Sequence, residues 1–561
     1  MVLVRLGTWL ELGRVQTLFL MNIVVNAFTA VVLFGLTCFL GYSKRTAFVV
    51  GVLFGVGTIV WPYSQTFFRD PLAMMFLMIG WAGALALGNR QSPTRPKTYR
   101  WLAWIALFTG TVSGILTKNT ITIAVPALVA YLFIRKVSGI NRRALMDAFH
   151  KNGKKFLLIL GGILCLFLAW FLFLPSGGVF ERFTFHYYKY LTTFFFTTPH
   201  PKFLEALLGP LISPGKSIFI YSPILLLAIW GSTKRWDLAW PAWFYLISLI
   251  IGQALFYDDE WWGYINWGLR FIVPALPPLM IATIPAVDSW LKTRKGCVGL
   301  LALGGVSLLI QVVGVLPPMR QYYVEIARLD PMLLGTDSIW NPKHTALAWH
   351  IKWLLEGGPL NLAAVRIGLS SLPVVIGFLI LMVSVFWALN HPSKGWIPYL
   401  NGLLGLGLMI GMLFLYAQDP AYYPFRDDLR AAQEKITQHV AEDELVVVKS
   451  YSTPAWYYWM NWADPKEVWI SLPFYFPKPD LIEVYRETGQ FELVMDEATL
   501  ALLQKLPKNY RLVWLVVPED APGASLTIEV DWLREVSDST ESWVFQGEVE
   551  ETSLYLFEFD S

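Results

Sequence analysis

Long apolar runs separated by short polar connections dominate the chain from residue 15 to residue 417. They lie near 15–41, 46–63, 71–87, 101–116, 121–134, 156–175, 217–231, 239–257, 269–287, 297–316, 365–389 and 398–417. Most approach or exceed the roughly 20 residues a helix needs to cross hydrocarbon, 121–134 being the shortest. A backbone in lipid must satisfy its own hydrogen bonds, so each run is read as a helix. The pattern predicts an α-helical polytopic membrane protein with about twelve transmembrane helices, occupying residues 1–418. Beyond that point apolar and polar residues mix. Residues 427–440 have helical spacing, 444–449 and 511–518 read as short buried strands, and 497–506 reads as a further helix. Residues 419–561 are therefore expected to form a soluble α/β domain. It carries no Gly-rich phosphate loop, nucleophile elbow or metal-spaced His/Cys set, so an accessory or recognition role is expected of it.

Charge gives the runs a direction. The connections holding Lys44 and Arg45, Arg90 to Arg100, Arg135 to Lys155, Lys234 and Arg235, Lys292 to Lys295, and Lys394 are basic and alternate without a break, so all are assigned to the cytoplasm. The outer connections are then 64–70, 117–120, 176–216, 258–268 and 317–364, together with the C-terminal domain. This predicts an integral membrane protein with that domain on the outer, periplasmic or extracellular, side. A net charge of only +3 gives no footprint for nucleic acid. A mean hydropathy of +0.49 with 15% charged residues excludes an ordinary soluble chain. Cys38, Cys165 and Cys297 all lie in apolar runs, which argues against a disulfide framework. The amino terminus falls outside, yet 1–14 has no signal-peptide character. The expectation is that a first helix is missing before Met1.

Candidate chemistry gathers on the outer side. Asp70 opens an apolar run and is followed by Pro71, which reads either as a helix start or as an acid facing a cavity at the membrane surface. Asp258, Asp259 and Glu260 stand beside Trp261 and Trp262. Their mutual repulsion suits a general base or a cation site, and the bland alternative is a solvated tip above an aromatic belt. Ser213-Pro214-Gly215 is turn chemistry that brings Lys216 to the mouth of a run, with Tyr221 deeper in. Lys216 can hold a lipid phosphate or simply snorkel; Arg270 is a phosphate fork or an interfacial anchor. Arg69 and Lys118 run against the positive-inside trend, which favours an anionic ligand. His186, amid aromatics, is a substrate contact or a packed ring. A divalent cation near the acids is possible chemistry, but no ligand spacing demands a metal.

Three stretches carry a resemblance: W-P-Y-S-Q-T-F-F-R-D-P-L (61–72), S-P-G-K-S-I-F-I-Y-S-P-I-L-L-L (213–227) and W-W-G-Y-I-N-W-G-L-R-F-I-V-P (261–274). In order and membrane side they resemble the GT-C superfamily of integral membrane glycosyltransferases, in particular its prokaryotic phospholipid carrier-dependent, protein O-mannosyltransferase-like branch. The resemblance implies a polyprenyl-phosphate-linked sugar as donor and a lipid, glycan or protein acceptor. It implies acid or acceptor-positioning work for Asp70, Lys216 and Arg270 as holders of the lipid phosphate, and a prokaryotic plasma (inner) membrane as the location. On the residues themselves Asp258, Asp259 and Glu260 are the second choice of acid, Arg69 and Tyr221 join the phosphate set, and Trp261, Trp262 and His186 are the expected substrate contacts. The family's main catalytic acid lies in a first outer loop, whereas here Glu11 is the only acid before Asp70. A transporter or flippase, or a non-catalytic binder of lipid-linked sugars, uses the same cavity and is the alternative.

Overall fold

The first helix, α1 (Arg14–Phe39), has a stripe that repeats at three- and four-residue steps: Asn22, Val25, Asn26, Thr29, Leu33, Leu36 and Thr37 are buried. Ile23, Val24, Phe28 and Val31 face outward, as lipid-facing positions should. The computed structural model describes residues 14–88, 97–137, 202–256, 261–329, 336–370, 372–390, 397–418, 427–439, 444–448, 468–471, 497–518, 528–546 and 551–559. They divide into two compact units. One comprises residues 1–319, 335–362 and 370–414, and the other 320–334, 363–369 and 415–561.

In the first unit the helices follow the order of the apolar runs: α2 (Lys44–Gly57), α3 (Val60–Ser64), α4 (Asp70–Gly88), α5 (Lys97–Thr117), α6 (Ala124–Val137), α7 (Phe203–Ile212), α8 (Ile218–Tyr221), α9 (Leu226–Lys234), α10 (Trp236–Phe256), α11 (Leu276–Leu291), α12 (Arg294–Val315), α13 (Ala346–Leu355), α14 (Leu372–Asn390) and α15 (Ile397–Ala417). Among the described residues six segments are long and apolar enough to cross a membrane: Phe19–Phe39, Asp70–Gly88, Trp236–Leu255, Arg270–Leu291, Arg294–Val315 and Leu400–Ala417. The chain is a polytopic helical membrane protein. The expected run at 156–175 lies outside the described residues.

Several of the expected runs are not single helices, and two of the interruptions are linked. The run 46–63 breaks at Thr58 and Ile59, and 217–231 breaks at Ser222 and Pro223. The breaks meet: the amide of Ile59 donates to Ser222 Oγ at 3.0 Å. A freed backbone donor at membrane depth thus finds a side-chain acceptor from the other interruption.

Helices α4 and α5 approach through glycine. A Cβ at Gly83 would lie 2.5 Å from the Ala103 carbonyl oxygen, and one at Gly110 would lie 2.5 Å from the Gly80 nitrogen. Both obstacles are backbone, which cannot step aside as a side chain can. Gly110→Ala is therefore expected to destabilise the protein by about 1–3 kcal/mol, read as a lower melting temperature in detergent. Gly35→Ala, where a Cβ meets nothing within 4 Å, is the matched control and should not lower it.

The end of the bundle carrying the basic connections is tied by Asp237. Arg235 holds it in a fork, Nε to Oδ1 and Nη2 to Oδ2 both at 2.8 Å, and Arg135 at the end of α6 pairs with it as well. Close to the end of α11, Asp288 accepts from Thr46 Oγ1 at 2.9 Å and pairs with Lys292.

The second unit contains a five-stranded sheet, β1 (Leu445–Val448), β2 (Val468–Ser471), β3 (Leu512–Pro518), β4 (Ser539–Gln546) and β5 (Glu551–Glu558), in the order β2-β1-β3-β5-β4. β1 pairs in parallel with β2 and β3; β5 runs antiparallel to β3 and β4. Alternation along the strands feeds two cores. Val446, Val448, Trp514 and Val516 pack with Leu429 and Ile436 of the helix Asp427–His439. Leu445, Val447, Val513 and Leu515 pack with Leu503, Ile528 and Leu533 from helices on the opposite face.

Candidate active site

Five polar segments converge at the end of the first unit opposite Asp237. Asp70 stands at the start of α4, and Lys118 follows the last residue of α5, so helix ends deliver both groups to one level. The Lys118 ammonium donates to the Asp70 carboxylate, and the two residues are only 5% and 3% exposed. Burial lowers the Lys118 pKa from the ordinary lysine value; Asp70 opposes the shift, and the nearby Arg270 and Arg69 guanidiniums add to it.

Arg270 begins the turn Arg270–Ala275 that leads into α11. Its guanidinium lies 4.6 Å from the Phe68 ring centroid and 4.9 Å from that of Phe271, while Lys118 sits 5.0 Å from Phe271. Aromatic faces thus hold both cations. Asn22 of α1 closes the near side, its amide donating to the Thr66 and Phe68 carbonyls at 2.6 and 2.9 Å. Arg69 is exposed beside the pair.

Lys216 ties down the loop that leads to Arg270. Its ammonium donates to the carbonyls of Tyr264, Asn266 and Gly268 at 2.8, 3.0 and 3.1 Å and sits 5.4 Å from the Trp262 ring centroid. All three N–H groups are used, and Lys216 thereby organises the loop before Arg270. The loop needs that help: Gly263, Tyr264 and Gly268 have φ of 72°, 66° and 63°, a region a tyrosine seldom enters. Burial first, and the charge of Arg270 second, bring the Lys216 pKa down to about 7.

The aromatic candidates are buried as well. Trp261 and Trp262 pack with Ala206, Ala254 and Ile339, and a Cβ on Gly209 would fall 2.0 Å from the Trp261 ring. They form a wall of the site and present no open stacking face to a sugar. Tyr221 packs edge-on against Trp267 at 5.1 Å, and its hydroxyl accepts from the Leu347 amide at 3.4 Å. Asp258, Asp259, Glu260 and His186 lie outside the described residues. Among the described residues no group of three His, Cys, Asp or Glu could hold a metal ion.

Behind the loop, His350 stacks on Trp267 at 4.9 Å, and its Nδ1 donates to the Val313 carbonyl at 2.9 Å. Burial brings its pKa down to about 4, against the pull of that hydrogen bond. With the unfolded value near 6.5, the unfolded chain binds the extra proton between pH 6.5 and 4, so this contribution is intact above 6.5 and lost as pH falls. Acidification across that window is expected to cost about 3 kcal/mol of stability. His350→Gln should flatten the corresponding fall in melting temperature.

Sequence reasoning singled out Asp70, Lys216 and Arg270 and counted Lys118 only as a stray cation. It passed over Asn22, which gave no separate signal: one asparagine in an apolar run looks like others in this chain.

No family model matches the chain, and no curated protein matches it. Among solved structures it is similar to ArnT from Cupriavidus metallidurans in the apo state, at 14% identity and a TM-score of 0.44, over 99% of this chain and 86% of that one. It is also similar to the same protein bound to undecaprenyl phosphate, at 13% identity and a TM-score of 0.40, over the same shares.

Proposed function

We propose that this chain is a membrane glycosyltransferase that moves a sugar from a polyprenyl-phosphate-linked donor to an acceptor on the outer face of the membrane. The observation that carries the reading is the buried Asp70–Lys118 pair with Arg270 and Arg69 beside it. This is an acid held ready within a surplus of positive charge, at the mouth of helices whose flanks are apolar. An anionic lipid head suits that end, and its chain suits the flanks. The Lys/Arg bias of the opposite end, where Arg135, Arg235 and Lys292 lie, supports an outer location for the site.

In the reaction an acceptor hydroxyl or amine gives its proton to the Asp70 carboxylate while its oxygen or nitrogen attacks the anomeric carbon. The bond from that carbon to the phosphate oxygen breaks, and polyprenyl phosphate leaves with the electron pair, its charge met by Arg270 and Arg69. Attack from the face opposite the leaving group inverts the anomeric centre. Lys118 positions the carboxylate, and Lys216 shapes the loop that presents Arg270.

The test follows the donor's glycosyl bond. Purified protein in nanodiscs is given a polyprenyl-phosphate hexose and cell-envelope acceptor lipids, and release of free polyprenyl phosphate is measured. Catalysed release with label appearing on an acceptor is expected. Movement of intact donor across a vesicle bilayer without cleavage would make the protein a transporter, and saturable binding without either would make it a binder; both outcomes end the transferase reading.

A further inference from the structure

Two tyrosine hydroxyls stand beside the ion pair with no hydrogen-bond partner among the described residues. Tyr63 on α3 is 2% exposed and Tyr245 on α10 is wholly buried, and both are within electrostatic reach of the Asp70 carboxylate. Close by, Asn22 has used its amide nitrogen on two carbonyls, and its Oδ1 has no partner; Arg270 Nε has none either. Contacts join three of these groups into one cluster, Asn22 to the Phe68 carbonyl, the Tyr63 ring to the Phe68 ring at 6.1 Å, and Arg270 over the same ring, and Tyr245 meets it through its interaction with the Asp70 charge. Buried hydroxyls and amides without partners are rare in folded proteins, so several around one ion pair mark a place where a polar ligand completes them.

The chemistry of the four groups specifies that ligand. Two phenol hydroxyls both donate and accept, an amide oxygen accepts, and a guanidinium N–H donates. The set is matched to alcohol hydroxyls. It is ill matched to an ammonium group, because Asp70 already faces Lys118, and Arg270 and Arg69 stand beside that pair.

We propose that Tyr63, Tyr245 and Asn22 form a pocket that reads the hydroxyl groups of a neutral sugar ring, a hexosyl or pentosyl unit without an amino substituent. This rests on the lipid-linked sugar reading above.

Three probes separate the two ideas in nanodisc-embedded protein at pH 7: polyprenyl phosphate alone, polyprenyl phosphate carrying glucose, and polyprenyl phosphate carrying glucosamine. The glucose conjugate is expected to bind about tenfold or more tightly than either of the others, on the scale of a site built to bond hydroxyls. Tyr63→Phe and Tyr245→Phe should each erase most of that preference without lowering the melting temperature of the ligand-free protein, since each removes a buried hydroxyl that lacks a partner. If the glucosamine conjugate binds as tightly as the glucose conjugate, or the glucose conjugate binds no better than bare polyprenyl phosphate, the pocket assignment is wrong while the lipid-phosphate reading stands. If none of the three binds, the function proposed above fails and takes the pocket with it. The wild-type comparison needs no variant, so a misfolded tyrosine mutant cannot obscure the result.

Discussion

Asp70→Asn is expected to reduce donor cleavage by about 10²-fold or more and to destabilise the protein by about 3–5 kcal/mol, because it leaves the Lys118 ammonium buried opposite a neutral amide. The two effects part company in the double variant. Asp70→Asn with Lys118→Met removes the second charge, and a buried ion pair exchanged for uncharged groups of similar volume returns stability to within about 1 kcal/mol of the starting protein. Cleavage should stay lost, since methionine and asparagine together offer no proton acceptor. Melting temperature in detergent and release of polyprenyl phosphate are the two readouts. If Asp70 serves only to start α4 and to neutralise Lys118, the double variant regains both, and the catalytic assignment of Asp70 falls.

Lys216→Met carries the second large effect. Three backbone carbonyls, those of Tyr264, Asn266 and Gly268, lose the ammonium that bonds all of them in a nearly closed setting, with Lys216 itself 3% exposed. A hydrogen bond to a charged group contributes about 1.5–3 kcal/mol, so even after the desolvation of the ammonium is offset the loss should reach about 3 kcal/mol. It should be local before it is global: amide exchange of residues 263–268 rises first, because Tyr264 holds an unfavourable φ only while its neighbours are tied down. Lys216→Arg should not rescue the loop. A planar guanidinium directs its protons outward in a fork and cannot converge on three carbonyls as an ammonium does. Unchanged exchange in Lys216→Met would show that the loop holds its shape without the cage.

Much of the fold was legible because hydrocarbon imposes a length on every crossing helix. The runs 71–87, 239–257 and 297–316 reappear as Asp70–Gly88, Trp236–Phe256 and Arg294–Val315. The breaks at Ile59 and Ser222 were not legible, because hydropathy records where a chain can be buried and is silent on where its backbone turns. In the second unit, β1 and β3 announced themselves as short apolar runs, being buried on both faces. β4 did not: Ser539–Gln546 is an edge strand, largely exposed and rich in polar residues.

The candidate site was legible where a charge stood against the trend of its surroundings. That singled out Asp70, Lys216 and Arg270. Which charges meet was not legible, since Asp70 and Lys118 lie 48 positions apart and only the packing of α4 against α5 joins them. A cation at a helix mouth also has two uses, to meet a ligand or to fold a loop. The sequence around Lys216 fits both, and the loop-folding use becomes visible only in the three carbonyls at hydrogen-bond distance.

The carbonyl cage also sets a rule for recombination. The loop from Trp261 to Arg270 looks like a self-contained cassette, but its shape is written partly at Lys216, across intervals of 48 to 52 residues. A chimaera that imports this loop into a scaffold without the lysine brings the letters without the template. One that exchanges residues 213–217 together with 261–270 keeps them as a unit, and that pair of segments is the smallest portable module of this face.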